Sequence, residues 1–109
     1  MVIKFQLLGQ DAELIFKKLG RHRSKGMPVR GLCDPPTTQP RQILVDSRLV
    51  DKERTEVIIH ECLHLAGWHL DEGFISQFAS ELADLLALAK EANEQKTSTQ
   101  QNSTKRRSS

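Results

Sequence analysis

His60-Glu61-Cys62-Leu63-His64 sets two imidazoles four positions apart, with a carboxylate directly after the first. On an α-helix of about 3.6 residues per turn, positions 60 and 64 project from one face, so both rings can reach a single metal ion. Glu61 lies about 100° further round the helix, close enough to act on a water at that ion without being a ligand itself. Two ligands and a base are the parts that metal-assisted hydrolysis needs. The bland alternative is a pair of unrelated surface histidines. Three fixed positions coincide by accident about once per 10⁴ starting points, or in about one chain in a hundred of this length. Here the apolar run Val57-Ile58-Ile59 ahead of the motif would also lodge it against a sheet, which favours the metal site.

The elements around the motif must hold it in place. Asp51 is placed to cap a helix running to about Ala66, with Val57, Ile58, Cys62, Leu65 and Ala66 on its apolar side and Gly67 as its C-cap. A second helix is predicted from about Asp71 to Ala92, where Ile75, Phe78, Ala79, Leu82, Leu85, Leu86 and Ala89 recur at three- and four-residue intervals. Gln42–Asp46 reads as a short buried strand. Residues 20–41, broken by Gly20, Gly26, Pro28, Gly31, Pro35, Pro36 and Pro40, read as a long loop, and a loop of that length in a small domain is often functional. Val2–Leu8 and Ala12–Leu19 flank Gly9-Gln10-Asp11, which suits a β-hairpin. A helix capped by Asp11 and Gly20, with Ala12, Ile15, Phe16 and Leu19 as its stripe, competes for the second run.

The segment from His60 through Glu72 resembles the active-site helix of the zincin metallopeptidases. More closely, His60-Glu61-Cys62-Leu63-His64-Leu65-Ala66-Gly67-Trp68-His69-Leu70-Asp71-Glu72 is similar to small phage and bacterial metallopeptidase-like proteins of minimal gluzincin type. The similarity extends from Gly31-Leu32-Cys33-Asp34-Pro35-Pro36 to about Ala89, and only the five-residue motif is strongly specific. It implies an α+β fold: a short N-terminal sheet of about three strands, then two helices. It further implies a Zn2+ cofactor, a peptide or protein substrate, and Glu61 as the base that takes a proton from the attacking water and passes it to the leaving amine. A catalytic zinc site needs a third protein ligand. The metzincin spacing would place it at position 70, which is Leu70. The gluzincin arrangement draws an acidic residue from the following helix and so implies Glu72, with Asp71 and His69 as competitors. Asp71 is otherwise a helix cap, and His69 a solvated turn residue.

Other residues have plainer readings. Cys62 sits two positions beyond His60 and faces away from the metal, as a buried structural thiol would. Trp68 is expected as a core plug between the helices. Cys33 is expected as a packed loop thiol; as a thiolate approaching the metal it would be similar to the cysteine switch of matrix metalloprotease propeptides, at a different spacing. The chain has no Tyr, so a phenolic oxyanion donor is excluded, leaving His22, His69 or an arginine of the 21–30 loop.

The chain has 109 residues, 38% of them hydrophobic and 5% aromatic, which allows one modest core built from Leu, Ile, Val and Ala and excludes a second. Residues 1–92 are expected to form the metal-binding domain. Residues 93–109 hold no Val, Ile, Leu, Met, Phe, Trp, Ala or Cys, and are expected to be a disordered polar tail. The net charge of +2 conceals a partition: +5 over residues 1–42, −6 over 43–92 and +3 over the tail. The basic front half admits a nucleic-acid-associated metalloprotein, but few aromatics are interleaved for base stacking, so nucleic acid is not the expected partner. No apolar run approaches the roughly 18 residues of a membrane span, and no membrane association is expected. The opening Met1-Val2-Ile3-Lys4-Phe5 lacks the features of a secretory signal, and two cysteines make a poor disulfide framework, so the cytoplasm is the expected compartment. The alternative to an enzyme is a non-catalytic, phage-associated zinc-binding regulatory or interaction module. Nothing in the residue pattern sets an oligomeric state.

Overall fold

The computed structural model describes the backbone of residues 2–20, 23–24 and 27–99, and the side chains of residues 2–20 and 29–94. Strand β1 (Val2–Leu7) and strand β2 (Gln10–Lys17) form the predicted antiparallel hairpin. Leu8 and Gly9 make the turn, with φ of 51° and 77°. Positive φ at both central residues matches the right-handed twist of the flanking strands, and glycine reaches it without steric cost. Gln10 and Asp11 therefore belong to β2, and Asp11 is held across the hairpin by the Gln6 amide at 2.7 Å. The competing helix loses because the side chains alternate: Ala12, Leu14 and Phe16 share one sheet face, while Glu13, Ile15 and Lys17 share the other.

Two two-residue strands, β3 (Arg23–Ser24) and β4 (Met27–Pro28), pair with each other. Strand β5 (Gly31–Cys33) follows, and then β6 (Arg41–Asp46). β6 inserts parallel to β2, and β5 pairs antiparallel along the outer side of β6. The sheet order is β1-β2-β6-β5, four strands where about three were expected. The extra strand lies in the segment read as a loop, because three residues between glycine and prolines carry no periodicity of their own.

Helix α1 (Asp51–Ala66) lies across the sheet face formed by Ala12, Ile43 and Val45, and closes the core with Val57 and Leu65. Each large aliphatic side chain fully buried there contributes about 1.5–3 kcal/mol. Asp51 is not the N-cap. Val50 holds that position without a side-chain hydrogen bond, and Asp51 is the first helical residue at φ 53°, a left-handed conformation that aspartate tolerates better than most. Gly67 does end the helix, its N–H donating to the Leu63 carbonyl at 2.8 Å.

After the turn through residues 67–70, Asp71 caps helix α2 (Glu72–Thr99), its carboxylate accepting the Phe74 N–H at 3.0 Å. α2 buries Ile75, Ala79 and Ala83, and among the described residues it packs on α1 and not on the sheet. It runs to Thr99 rather than ending near Ala92. A polar composition prevents a segment from burying surface, but not from extending an existing helix, and Glu94, Gln95 and Lys96 are good helix formers. Residues 100–109 lie outside the described residues.

Candidate metal centre

α1 carries His60 and His64 on successive turns of one face, ring centroids 5.0 Å apart. The chain then reverses through Gly67–Leu70, where the Leu70 N–H donates to the Gly67 carbonyl at 2.9 Å, and the Asp71 cap starts α2 alongside. Glu72 enters in that first turn. One of its carboxylate oxygens lies 3.0 Å from His60 Nε2, the other 3.1 Å from His64 Nε2, and Ser76 Oγ donates to the first at 3.4 Å. Candidate ligand atoms of His60, His64 and Glu72 all lie within 4.8 Å of one another, the one such cluster among the described residues.

The donor set fits zinc. Zinc takes imidazole nitrogen and carboxylate oxygen at about 2.0–2.2 Å, which in a tetrahedral site puts ligand atoms roughly 3.3–3.5 Å apart, so small movements would admit an ion. Burial pushes the His60 pKa down, and with it the imidazole toward the neutral form that a ligand must have; the neighbouring Glu72 carboxylate opposes this. Asp71 is occupied as a cap and His69 sits exposed in the turn, so neither joins the cluster.

Glu61 is 7% exposed. It fits because β5 offers no side chain at Gly31: a Cβ there would lie 2.6 Å from Val57 Cγ1 and 3.0 Å from both Cγ and Oε2 of Glu61. Burial first, and the charge of Glu72 second, push the Glu61 carboxyl up to about 7, and a cation in the cluster would pull it back down. Glu61 lines an open cleft of about 280 Å³ with His60 and His64. Gly31, Leu32 and Cys33 of β5 form the opposite wall, and Val29 and Trp68 complete the lining.

Trp68 is not the expected core plug. It is 37% exposed, its ring set edge-on to His64 at 6.1 Å. Beneath it, 5.7 Å from the ring centroid, lies the guanidinium of Arg41, a residue to which the sequence reading gave no role. Arg41 is 3% exposed, and all five of its N–H groups are used: on the Asp34 carbonyl twice, the Leu65 carbonyl, Gln10 Oε1 and Cys33 Sγ. It thereby ties β5, β2 and the last turn of α1 together behind the cleft. The available signal was parity, since Arg41 shares the inward face of β6 with Ile43 and Val45.

Cys33 stands on a strand rather than in a loop. Burial pushes its thiol up to about 11 against the opposing pull of Arg41, so it is a protonated thiol, and it is not in the cluster. Cys62 packs against the core as expected, and both thiols are free. Of the oxyanion candidates, His22 and the side chains of Arg21 and Arg23 lie outside the described residues, and Arg30 is paired with Glu53 at 2.7 Å. Comparison with protein-family models, with curated proteins and with solved structures finds no match.

Proposed function

We propose that this chain is a zinc-dependent hydrolase of zincin type that acts as a metallopeptidase. The observation that carries the reading is the convergence of His60, His64 and Glu72 from two helices onto one point beside the buried carboxylate of Glu61. Zinc held by those three side chains would polarise a substrate carbonyl and lower the pKa of water toward about 7. The Glu61 carboxylate takes the proton of the attacking water and returns it to the leaving amine. β5 supports a peptide over other carbonyl substrates: it is an edge strand that walls the cleft, and its outer edge can receive an extended chain by main-chain hydrogen bonding. The cytoplasm is the proposed compartment, supported by the two free thiols. No helix among the described residues is long and apolar enough to cross a membrane.

One observation favours a second reading, a non-catalytic zinc module. Among the described helices and strands α2 packs only on α1, so an ion joining Glu72 to the two histidines would also clasp the helices together. Metal analysis combined with a peptide-library assay separates the two. The wild type is expected to hold about one zinc per chain and to cleave. Glu61→Gln is expected to keep the metal and the fold, with hydrolysis reduced at least about 10²-fold. Zinc retention without cleavage by the wild type would replace the enzyme with the clasp.

A further inference from the structure

We propose that the outward face of α2 is a docking surface for an amphipathic, basic helix of a partner protein. The proposal is independent of the metal reading. α2 buries Ile75, Ala79 and Ala83 on α1. At about 100° per residue, Phe74, Phe78, Glu81, Leu85 and Leu88 fall within an arc of about 80° on another side of the helix, roughly 140° from the buried stripe. Phe74 is 51% exposed, Phe78 43%, Leu85 58% and Leu88 63%. The two phenylalanine rings are already stacked, with centroids 5.8 Å apart, so one end of the stripe is a preformed flat platform. From Phe74 to Leu88 the stripe spans about 21 Å, four turns of helix. Four large apolar side chains left exposed along one helix face mark an interaction site.

Charge selects the occupant. Glu81 stands midway along the stripe, and its described contact is with the neutral Gln77 amide at 3.1 Å. A second copy of the chain packed in register on this stripe would bring Glu81 against its own counterpart, setting two carboxylates together in a seam that excludes water. The acidic character continues along the helix: the described side chains of α2 include Glu72, Glu81, Asp84, Glu91 and Glu94 against Lys90 alone. Asp84 is engaged by Lys52 at 2.6 Å, which leaves Glu81 as the charge that faces a newcomer on the stripe. A helix with apolar residues at three- and four-residue spacing and a Lys or Arg opposite Glu81 satisfies both the stripe and the charge. The chain's own residues 100–109 have the basic residues but no apolar ones, so they cannot cover the stripe.

The test uses the full chain and two fluorescently labelled synthetic helices, alike in their leucine stripe, one flanked by lysines and the other by glutamates. Anisotropy is expected to show the lysine helix binding more tightly by about ten-fold or more. Phe78→Ser with Leu85→Ser should abolish that binding at an unchanged melting temperature, and Glu81→Lys should reverse the preference. Equal binding of both helices whatever stands at position 81 would reduce the surface to a sticky face and overturn the proposal. A wild-type dimer in sedimentation equilibrium that Phe78→Ser with Leu85→Ser dissolves would overturn it in favour of a second copy. Partition onto neutral phosphatidylcholine vesicles through the same residues would overturn it in favour of a lipid surface.

Discussion

Glu72 reaches both histidines at once, one carboxylate oxygen to each ring, so removing it subtracts the proposed third ligand and leaves the imidazoles without their shared partner. Glu72→Ala is expected to weaken zinc by about 10²-fold or more, beyond the cost of losing a mere supporting contact to a ligand. It should destabilise the zinc-loaded protein far more than the metal-free one, because binding energy is also folding energy. His69→Ala should change neither quantity. Competitive zinc titration with thermal melts, with and without metal, checks both; loss of zinc on His69→Ala would refute the assignment. His60, Glu61 and His64 were legible in the sequence because helical spacing fixes their geometry locally. Arg41 and Trp68 were not, because what they do is set by contacts between segments far apart in the chain.

The turn between α1 and α2 does two separate jobs at adjacent residues: Asp71 caps the helix, and Glu72 faces the histidines. Asp71→Ala is expected to cost about 0.5–2 kcal/mol of stability as a lost cap while leaving zinc affinity nearly intact, measured by chemical denaturation and by the same titration. The two helices were readable because Val57 to Leu65 and Ile75 to Ala89 repeat their apolar residues over several turns. The hairpin was readable from two apolar runs around Gly9. β5 was not, since Gly31-Leu32-Cys33 becomes a strand only by pairing with β6. The extension of α2 past Ala92 was not legible, because the segment has no apolar residues to mark a helix, whereas a solvent-facing extension needs only compatible residues on an established helix.

Across the whole molecule, the sheet is pinned to the loop before α1 through Asp46 at the end of β6. Its buried carboxylate accepts from Arg48 Nη2 at 2.7 Å and from Nε and the backbone N–H of Arg48 at 3.0 Å each. The Arg48 side-chain hydrogen bonds, above all, hold the carboxyl far below the ordinary carboxylate range. The folded chain therefore binds fewer protons there than the unfolded one, and this contribution, full above the unfolded pKa of about 4, is lost as the pH falls below it. Wild type and Asp46→Asn are expected to differ in melting temperature at neutral pH and to converge between about pH 4 and 2; parallel curves over that range would contradict it. α2 has a different relation to the rest, packing on α1 and on no described strand. Lifting it away breaks one helix–helix seam and leaves every strand pairing intact, so α2 forms a cooperative unit of its own. In native-state hydrogen exchange, the interior amides of α2 should therefore exchange through an opening cheaper than global unfolding, while those joining β2 and β6 wait for the whole molecule. Added zinc should slow the first set selectively, so that the ion sets how often this protein exists with one helix undocked.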